Sequence, residues 1–308
     1  MEAILTRELT KVYRRHVVKA GRPALDSLNL AVQENEVFGF LGRNGAGKTT
    51  TIKILCSLLR PTRGEAFIAG ENVRTRTARR LIGYLPENPY FYEYLTPRET
   101  LDFYGRLQGL GAQERAREWG HLAELLDLGS IADQRVRTFS KGMRQRLAFA
   151  VALVGDPAVL VLDEPMSGLD PLGRRQTREL ILRLRDEKKT IFFSSHVLSD
   201  VEQICDRVGI LVNGKLISEG RIDALLTEQI NEVEVIAAGI APTAAEAIGA
   251  SVARIRQSEE GHHFYYDDLT AANEAVRRIH AANGTLVEFN PIKESLEDHF
   301  IRHHEVQP

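Results

Sequence analysis

The sequence predicts an α/β protein with three parts. These are a mostly parallel sheet, a helical segment inserted between two of its strands, and a small α+β unit at the C-terminal end. Three observations carry the prediction. Short runs rich in apolar and β-branched residues alternate with longer helical patterns. Strands apolar on both faces, separated by helices, indicate a sheet covered on both sides. From about residue 88 to 155 strand-like runs give way to helical ones, and after about residue 226 the pattern changes again.

Taken in order, "EVFGFLG" (36–42) reads as a strand feeding a glycine loop and the helix "KTTTIKILCSLL" (48–59). "IGYLP" (82–86) reads as the next core strand. The inserted helices are "RETLDFYGRLQ", "QERAREWGHLAELLDL" and "KGMRQRLAFAVALV". "AVLVLDE" (158–164) returns to the sheet and is followed by the helix "PLGRRQTRELILRLRDE". "TIFFSS" (190–195) and "LSDVEQICD" (198–206) give one more strand and helix. Residues 1–225 are therefore read as one domain. Residues 226–308 form a second, of order βαββαβα, ending on a helix over "SLEDHFIRHH". That second unit carries no glycine-rich loop and no cluster of catalytic residue types.

Composition narrows the function. A length of 308 residues suits one large or two modest domains with real cores. The formal charge of −2 shows no basic excess, so no nucleic-acid partner is expected. No run approaches the roughly 18 apolar residues of a membrane span. "MEAILTRELTKVYRR" lacks the apolar core of a signal peptide. Cys56 and Cys205 lie far apart and have no metal-ligand spacing, which reads as reduced thiols in a cytoplasmic protein.

The chemistry begins at "GRNGAGKTT", Gly42 to Thr50, which fits G-x-x-x-x-G-K-[ST] between a strand and a helix. Gly42, Arg43, Asn44, Gly45, Ala46 and Gly47 make a loop whose backbone N–H groups can turn inward around phosphate oxygens. The helix start behind it adds a positive dipole end. Lys48 brings a full charge, Thr49 a hydroxyl for Mg²⁺, and Thr50 a further phosphate contact. A P-loop site for a nucleoside triphosphate is the reading. A glycine-rich turn that binds nothing is the alternative.

Asp163 ends the apolar run "VLVL", at the carboxyl end of a buried strand, where α/β proteins bind ligands. A carboxylate there can hold Mg²⁺, and Glu164 beside it can polarise an attacking water. In "FSKGMRQRLAFA", Ser140 reads as a helix N-cap and Gly142 as a bare position in the first turn. That helix start is a second phosphate-binding end. The P-loop cannot easily reach it within one chain, so it makes most sense supplied to another subunit.

Together these motifs, in this order, resemble the ATP-binding subunit of an ABC transporter over about residues 1–225. The resemblance implies a P-loop NTPase (RecA-like) core with an inserted helical subdomain, binding ATP with Mg²⁺. "GRNGAGKTT" resembles the family's Walker A, "VLVLDE" its Walker B, "FSKGMRQ" its signature, "SGLD" its D-loop and "SSH" its switch. It implies Glu164 and His196 as catalytic, Tyr13 stacked on adenine, and Asp170 in a loop crossing a dimer interface. Thr49, Asp163 and Glu87 would serve the metal. Glu87 departs from the family, where the position is usually glutamine, and Lys141 and Met143 replace the commoner glycine and glutamine of the signature.

The segment "GYLPENPYFYEYLTPRET" (83–100) crowds Tyr90, Phe91, Tyr92 and Tyr94. The resemblance implies a groove there for a short helix of an integral membrane subunit. The alternative is that these aromatics glue the inserted segment to the core. "LPEN", "SKGMRQR" and the terminal "SLEDHF" resemble the exporter branch whose ATPase and membrane subunits are separate chains. The partners implied are membrane transporter subunits and a second copy or paralogue of this chain. The location implied is the inner face of the cell membrane. A soluble ABC-type ATPase acting on the ribosome or DNA is the alternative. It commonly carries two motif sets or long coiled-coil insertions, and this sequence has neither.

Overall fold

The computed structural model describes residues 1–13, 23–225, 230–249, 254–258 and 261–293. The chain divides into two compact units, Met1–Ile222 and Asp223–Pro308.

The first unit opens with β1 (Glu2–Lys11), β2 (Leu25–Gln33) and β3 (Val37–Leu41), then α1 (Lys48–Leu55). Next come β4 (Arg63–Ile68), β5 (Glu71–Asn72), α2 (Arg76–Arg80) and β6 (Ile82–Leu85). The helical insertion holds α3 (Pro97–Gln108), α4 (Ala112–Leu125) and α5 (Lys141–Leu153). It ends at β7 (Val159–Asp163), and β7 lies next to β6 in the same sheet. Then follow α6 (Pro171–Asp186), β8 (Thr190–Ser195), α7 (Leu198–Ile204), β9 (Arg207–Val212) and β10 (Lys215–Arg221).

Six strands form one sheet in the order β10-β9-β3-β8-β7-β6. All neighbours in it are parallel except the antiparallel edge pair β9–β10. The central strands β3, β7 and β8 are buried at every residue, so both faces are covered. The continuous apolar runs predicted this.

The sequence reading did not separate out the other sheet. β2, β1, β4 and β5 pair antiparallel as a four-stranded sheet of their own. Its strands mix buried and exposed positions, as expected when one face is packed and the other is wet. Ile4, Leu9, Leu28, Leu30 and Ile68 from this sheet share one core with Phe38, Phe40, Val161 and Phe192 of the six-stranded sheet. Ile52, Ile54 and Leu55 of α1 belong to that core too. Helix α1 touches both β4 and β7, so the sheets close on the helix that follows the glycine loop. Arg207 braces the pair: its guanidinium donates to Ala31 O at 3.1 Å and Glu36 Oε1 at 3.0 Å, and also to Glu219.

The insertion is anchored by α5. A Cβ at Gly83 of β6 would stand 2.0 Å from the Ala152 carbonyl oxygen, so only glycine admits the helix this close. A capping box starts α3: Thr96 Oγ1 accepts from Glu99 N at 3.3 Å and Glu99 returns the bond to Thr96 N at 2.9 Å.

The second unit begins within the short helix α8 (Ile222–Leu225). Its further elements are β11 (Ile230–Ala238), α9 (Pro242–Gly249), β12 (Arg254–Ser258), β13 (Gly261–Tyr266), α10 (Leu269–Ala281) and β14 (Thr285–Lys293). The four strands form an antiparallel sheet, β12-β13-β11-β14. Val233, Val235, Phe264 and Tyr266 pack on Ala272, Ala275 and Ile279 of α10. The helix expected over "SLEDHFIRHH" lies outside the described residues.

Candidate functional site

Strand β3 ends at Leu41, and the chain then turns tightly into α1. The turn depends on Gly47, whose φ of 116° is one that side chains rarely tolerate. A Cβ there would also meet the Ala24 carbonyl oxygen at 2.5 Å. Among the described residues no side chain caps the α1 N-terminus. The first-turn N–H groups therefore keep their donors for something else.

A cleft of about 280 Å³ opens over this helix start. It is lined by Arg43, Asn44, Gly45, Gly47, Lys48, Thr49 and Thr50 from the loop, and by Glu87, Glu164 and His196 from elsewhere. Glu87 follows β6, Glu164 follows β7 and His196 follows β8, so neighbouring parallel strands deliver all three to one edge of the sheet. Of the remaining loop residues, Ala46 is buried, and the Gly42 carbonyl accepts from Lys48 Nζ at 2.6 Å.

The polar groups at the cleft form a connected chain. Lys48 Nζ lies 3.1 Å from Glu164 Oε1, and His196 Nδ1 donates to Glu164 Oε2 at 2.9 Å. Thr49 Oγ1 donates to Asp163 Oδ1 at 3.4 Å. Glu164 holds a left-handed backbone, φ 48°, unusual for a non-glycine residue. Burial pushes the Asp163 carboxyl above its ordinary range and adjacent Glu164 adds to this, while hydrogen bonds from Ser194 and Thr49 and the Lys48 charge pull it back. The Cys56 thiol is pushed up chiefly by burial, with a further push from the Asp163 charge.

Ser194 was missed from sequence. Its hydroxyl donates to Asp163 Oδ1 at 2.7 Å and accepts from Glu164 N at 3.0 Å. The available signal was its place directly after the run "TIFF", as the first serine of "SSH". Tyr13 lies at the margin, half exposed, with its hydroxyl 3.3 Å from Thr50 Oγ1.

Ser140, Gly142 and Asp170 are not brought to this cleft. They line another, of about 790 Å³, between α5 and α6. Ser140 caps α5 by accepting from Met143 N at 3.3 Å, and Asp170 caps α6 by accepting from Gly173 N at 2.8 Å. Helix α5 is tied to the segment that follows β7 by Gln145, whose amide donates to Pro165 O at 2.6 Å.

The aromatic segment divides. Phe91 is 4% exposed, so its place in an open groove is corrected: its ring is buried. Tyr90, Tyr92 and Tyr94 stay exposed at 82%, 44% and 62%. Tyr92 meets Tyr94 at 5.8 Å and the edge of Phe103 at 5.6 Å.

Hard oxygen donors face the cleft: the Thr49 hydroxyl, the Asp163 carboxylate behind it, and Glu87. Among the described residues no cluster of three or more His, Cys, Asp or Glu side chains could hold a metal by itself. This donor set fits Mg²⁺, which is commonly held by one or two carboxylates together with substrate phosphates. No helix of the described residues is long and apolar enough to cross a membrane.

Known proteins of one family resemble this chain. A family model described as ABC transporter matches residues 25–167. An ABC transporter ATP-binding protein of Synechocystis sp. is 42% identical over 301 residues, covering 96% of this chain and 83% of its own length. The bacitracin transport ATP-binding protein BcrA of Bacillus licheniformis is 43% identical, over 72% of this chain and 71% of its own. A solved structure of an ATP binding subunit of an ABC transporter is 31% identical with a TM-score of 0.65, covering 72% of this chain and 91% of that one. The fold of the first unit is that of ABC ATPase domains, a P-loop NTPase fold. The chain belongs to the ATP-binding proteins of ABC transporters and is an ABC-type ATP hydrolase.

Proposed function

We propose that this chain powers a membrane exporter, working as a pair of nucleotide-binding units that close head to tail over two ATP molecules. The observation that carries the reading is the division of the site. Lys48, Thr49 and Glu164 line one cleft, while Ser140, Gly142 and Asp170 line a different one. A second copy or paralogue presenting its Ser140 and Gly142 would complete the first cleft. The relative named for bacitracin transport and the likeness to the separate-chain exporter branch support transport as the output.

In this reading the Gly42–Gly47 loop and the α1 N-terminus receive the phosphates, and Tyr13 stacks on the adenine. Thr49, Asp163 and Glu87 would hold Mg²⁺, whose charge would offset that of the phosphates. Lys48 exchanges Glu164 for the γ-phosphate. Released from Lys48, the Glu164 carboxylate is free to take a proton from the attacking water, with His196 orienting it. Asp170 and its loop cross to the partner unit. Driving closure from 1:99 to 99:1 takes about 5.5 kcal/mol of differential binding, within reach of a few charge-assisted contacts to the γ-phosphate. The membrane partners do the spanning, and the chain sits at the inner face of the membrane. Tyr90, Tyr92 and Tyr94 dock on a short helix of those partners.

Complementation tests the division. Lys48→Ala and Ser140→Arg are each expected to hydrolyse no ATP alone. Mixed, they form pairs with one fully native composite site, and about a quarter of the wild-type rate should return if pairing is random and two-fold symmetric. Two folded variants that never complement would overturn the paired-site reading.

A further inference from the structure

Ser194 sits in the middle of the hydrolytic machinery without touching the cleft surface. It is completely buried, and in the parallel register of β7 and β8 it stands beside Asp163. Its one O–H goes to Asp163 Oδ1 at 2.7 Å, and an oxygen lone pair takes the Glu164 N–H at 3.0 Å. Both capacities of a serine hydroxyl are thereby used in opposite directions, so its rotor has one setting.

We infer that Ser194 is a positioning residue, a single strut that aims the Asp163 carboxylate at the metal and holds the Glu164 backbone in its active conformation. The inference rests on the nucleotide-site reading above and deepens it.

Two further observations point the same way. The hydrogen bonds described for Asp163, from Ser194 and Thr49, both fall on Oδ1, which leaves Oδ2 as the oxygen for a metal-bound water. Glu164 keeps a left-handed backbone at φ 48°, a conformation that persists only where its surroundings hold it. The Ser194 oxygen supplies that hold at the peptide N–H, on the residue whose carboxylate carries both Lys48 and His196. An alanine at 194 would strand a partly buried N–H and free the Asp163 carboxylate to rotate.

The test compares wild type with Ser194→Ala and Ser194→Cys, the second keeping the volume with a much weaker hydrogen-bonding group. Three quantities are read: ATP hydrolysis against Mg²⁺ concentration, binding of a fluorescent ATP analogue in EDTA, and Mn²⁺ binding with a non-hydrolysable ATP analogue by electron paramagnetic resonance. The rate should fall and the half-saturating Mg²⁺ rise, each about tenfold or more, as for other residues that orient metal ligands. Mn²⁺ binding should weaken in step, while metal-free nucleotide affinity stays within about twofold of wild type. A folded variant with wild-type Mg²⁺ dependence and Mn²⁺ affinity would overturn the proposal. So would an equal loss of metal-free nucleotide binding, which would mean general disruption of the site. If Ser194→Ala does not fold, Ser194→Cys is read against the same outcomes. A wild-type chain that binds no ATP analogue, with or without metal, would instead refute the nucleotide-site reading and the Ser194 proposal with it.

Discussion

Lys48 Nζ lies 3.1 Å from Glu164 Oε1, and the two side chains are only 5% and 10% exposed. The lysine that should meet a phosphate is thus already neutralised by the carboxylate that should activate water. At an effective dielectric near 20, opposite charges about 4 Å apart attract by about 4 kcal/mol. A triphosphate must compete with that pairing.

Glu164→Gln removes the competitor and the base together. The expected outcome is tighter ATP binding, by about tenfold, and hydrolysis slowed by about a hundredfold or more. Titration with a fluorescent ATP analogue and phosphate-release kinetics on the same preparation check both. Hydrolysis near the wild-type rate would remove Glu164 from the role of base.

Lys48→Ala acts in the opposite direction on binding. It deletes a charge-assisted contact worth about 1.5–3 kcal/mol, so ATP affinity should fall by about ten- to a hundredfold. It also leaves the Glu164 carboxylate almost buried without its cation. Calorimetric titration with ATP measures the loss, and unchanged binding would count against the P-loop assignment.

Asp163 should trade stability for function. Burial holds its folded pKa above the ordinary value. A carboxyl raised in this way favours the folded state most in acid and loses that contribution as pH rises through the folded pKa. Asp163→Asn should therefore abolish hydrolysis yet melt higher than wild type at neutral pH without nucleotide. A gain of about 1 kcal/mol corresponds to about 3 °C in a domain of this size. The difference should shrink as pH is lowered toward 4. Scanning calorimetry of both proteins across that range reads it, and a neutral-pH melting point below wild type would contradict it.

Phe91 and the three tyrosines beside it should separate cleanly. Phe91→Ala empties a packed position and should cost about 3 kcal/mol in chemical denaturation. Tyr90→Ser with Tyr94→Ser should change stability by about 0.5 kcal/mol or less, since both rings are mostly in solvent. The double variant should keep its own ATP hydrolysis but lose co-purification with a multi-span protein from detergent-solubilised membranes. Retention of that partner would move the docking surface elsewhere.

Much of the nucleotide site could be read from sequence because its parts are local. Gly42 to Thr50 is one unbroken stretch, and the strand before it and the helix after it carry their own periodicity. Asp163 and Glu164 close a short run of apolar, β-branched-rich residues of the length a buried strand takes. The cap at Ser140 concerns a hydrogen bond three residues away. Local hydrogen bonding and side-chain period are properties of neighbouring residues, so a sequence displays them directly.

The remainder depended on residues brought together from far along the chain. β1 and β4 pair across more than fifty residues, and no periodicity announces that these strands leave the main sheet for one of their own. Phe91 and Tyr90 are adjacent and both aromatic, yet one is core and the other is surface, because burial depends on what the fold places opposite each ring. Ser194 looked like either of two serines at the end of a strand until the register of β7 and β8 set it against Asp163. The sequence alone determined which chemical groups this protein carries for nucleotide work. Tertiary structure decided which of them meet, since a contact of about 3 Å between distant residues is set by strand register and packing.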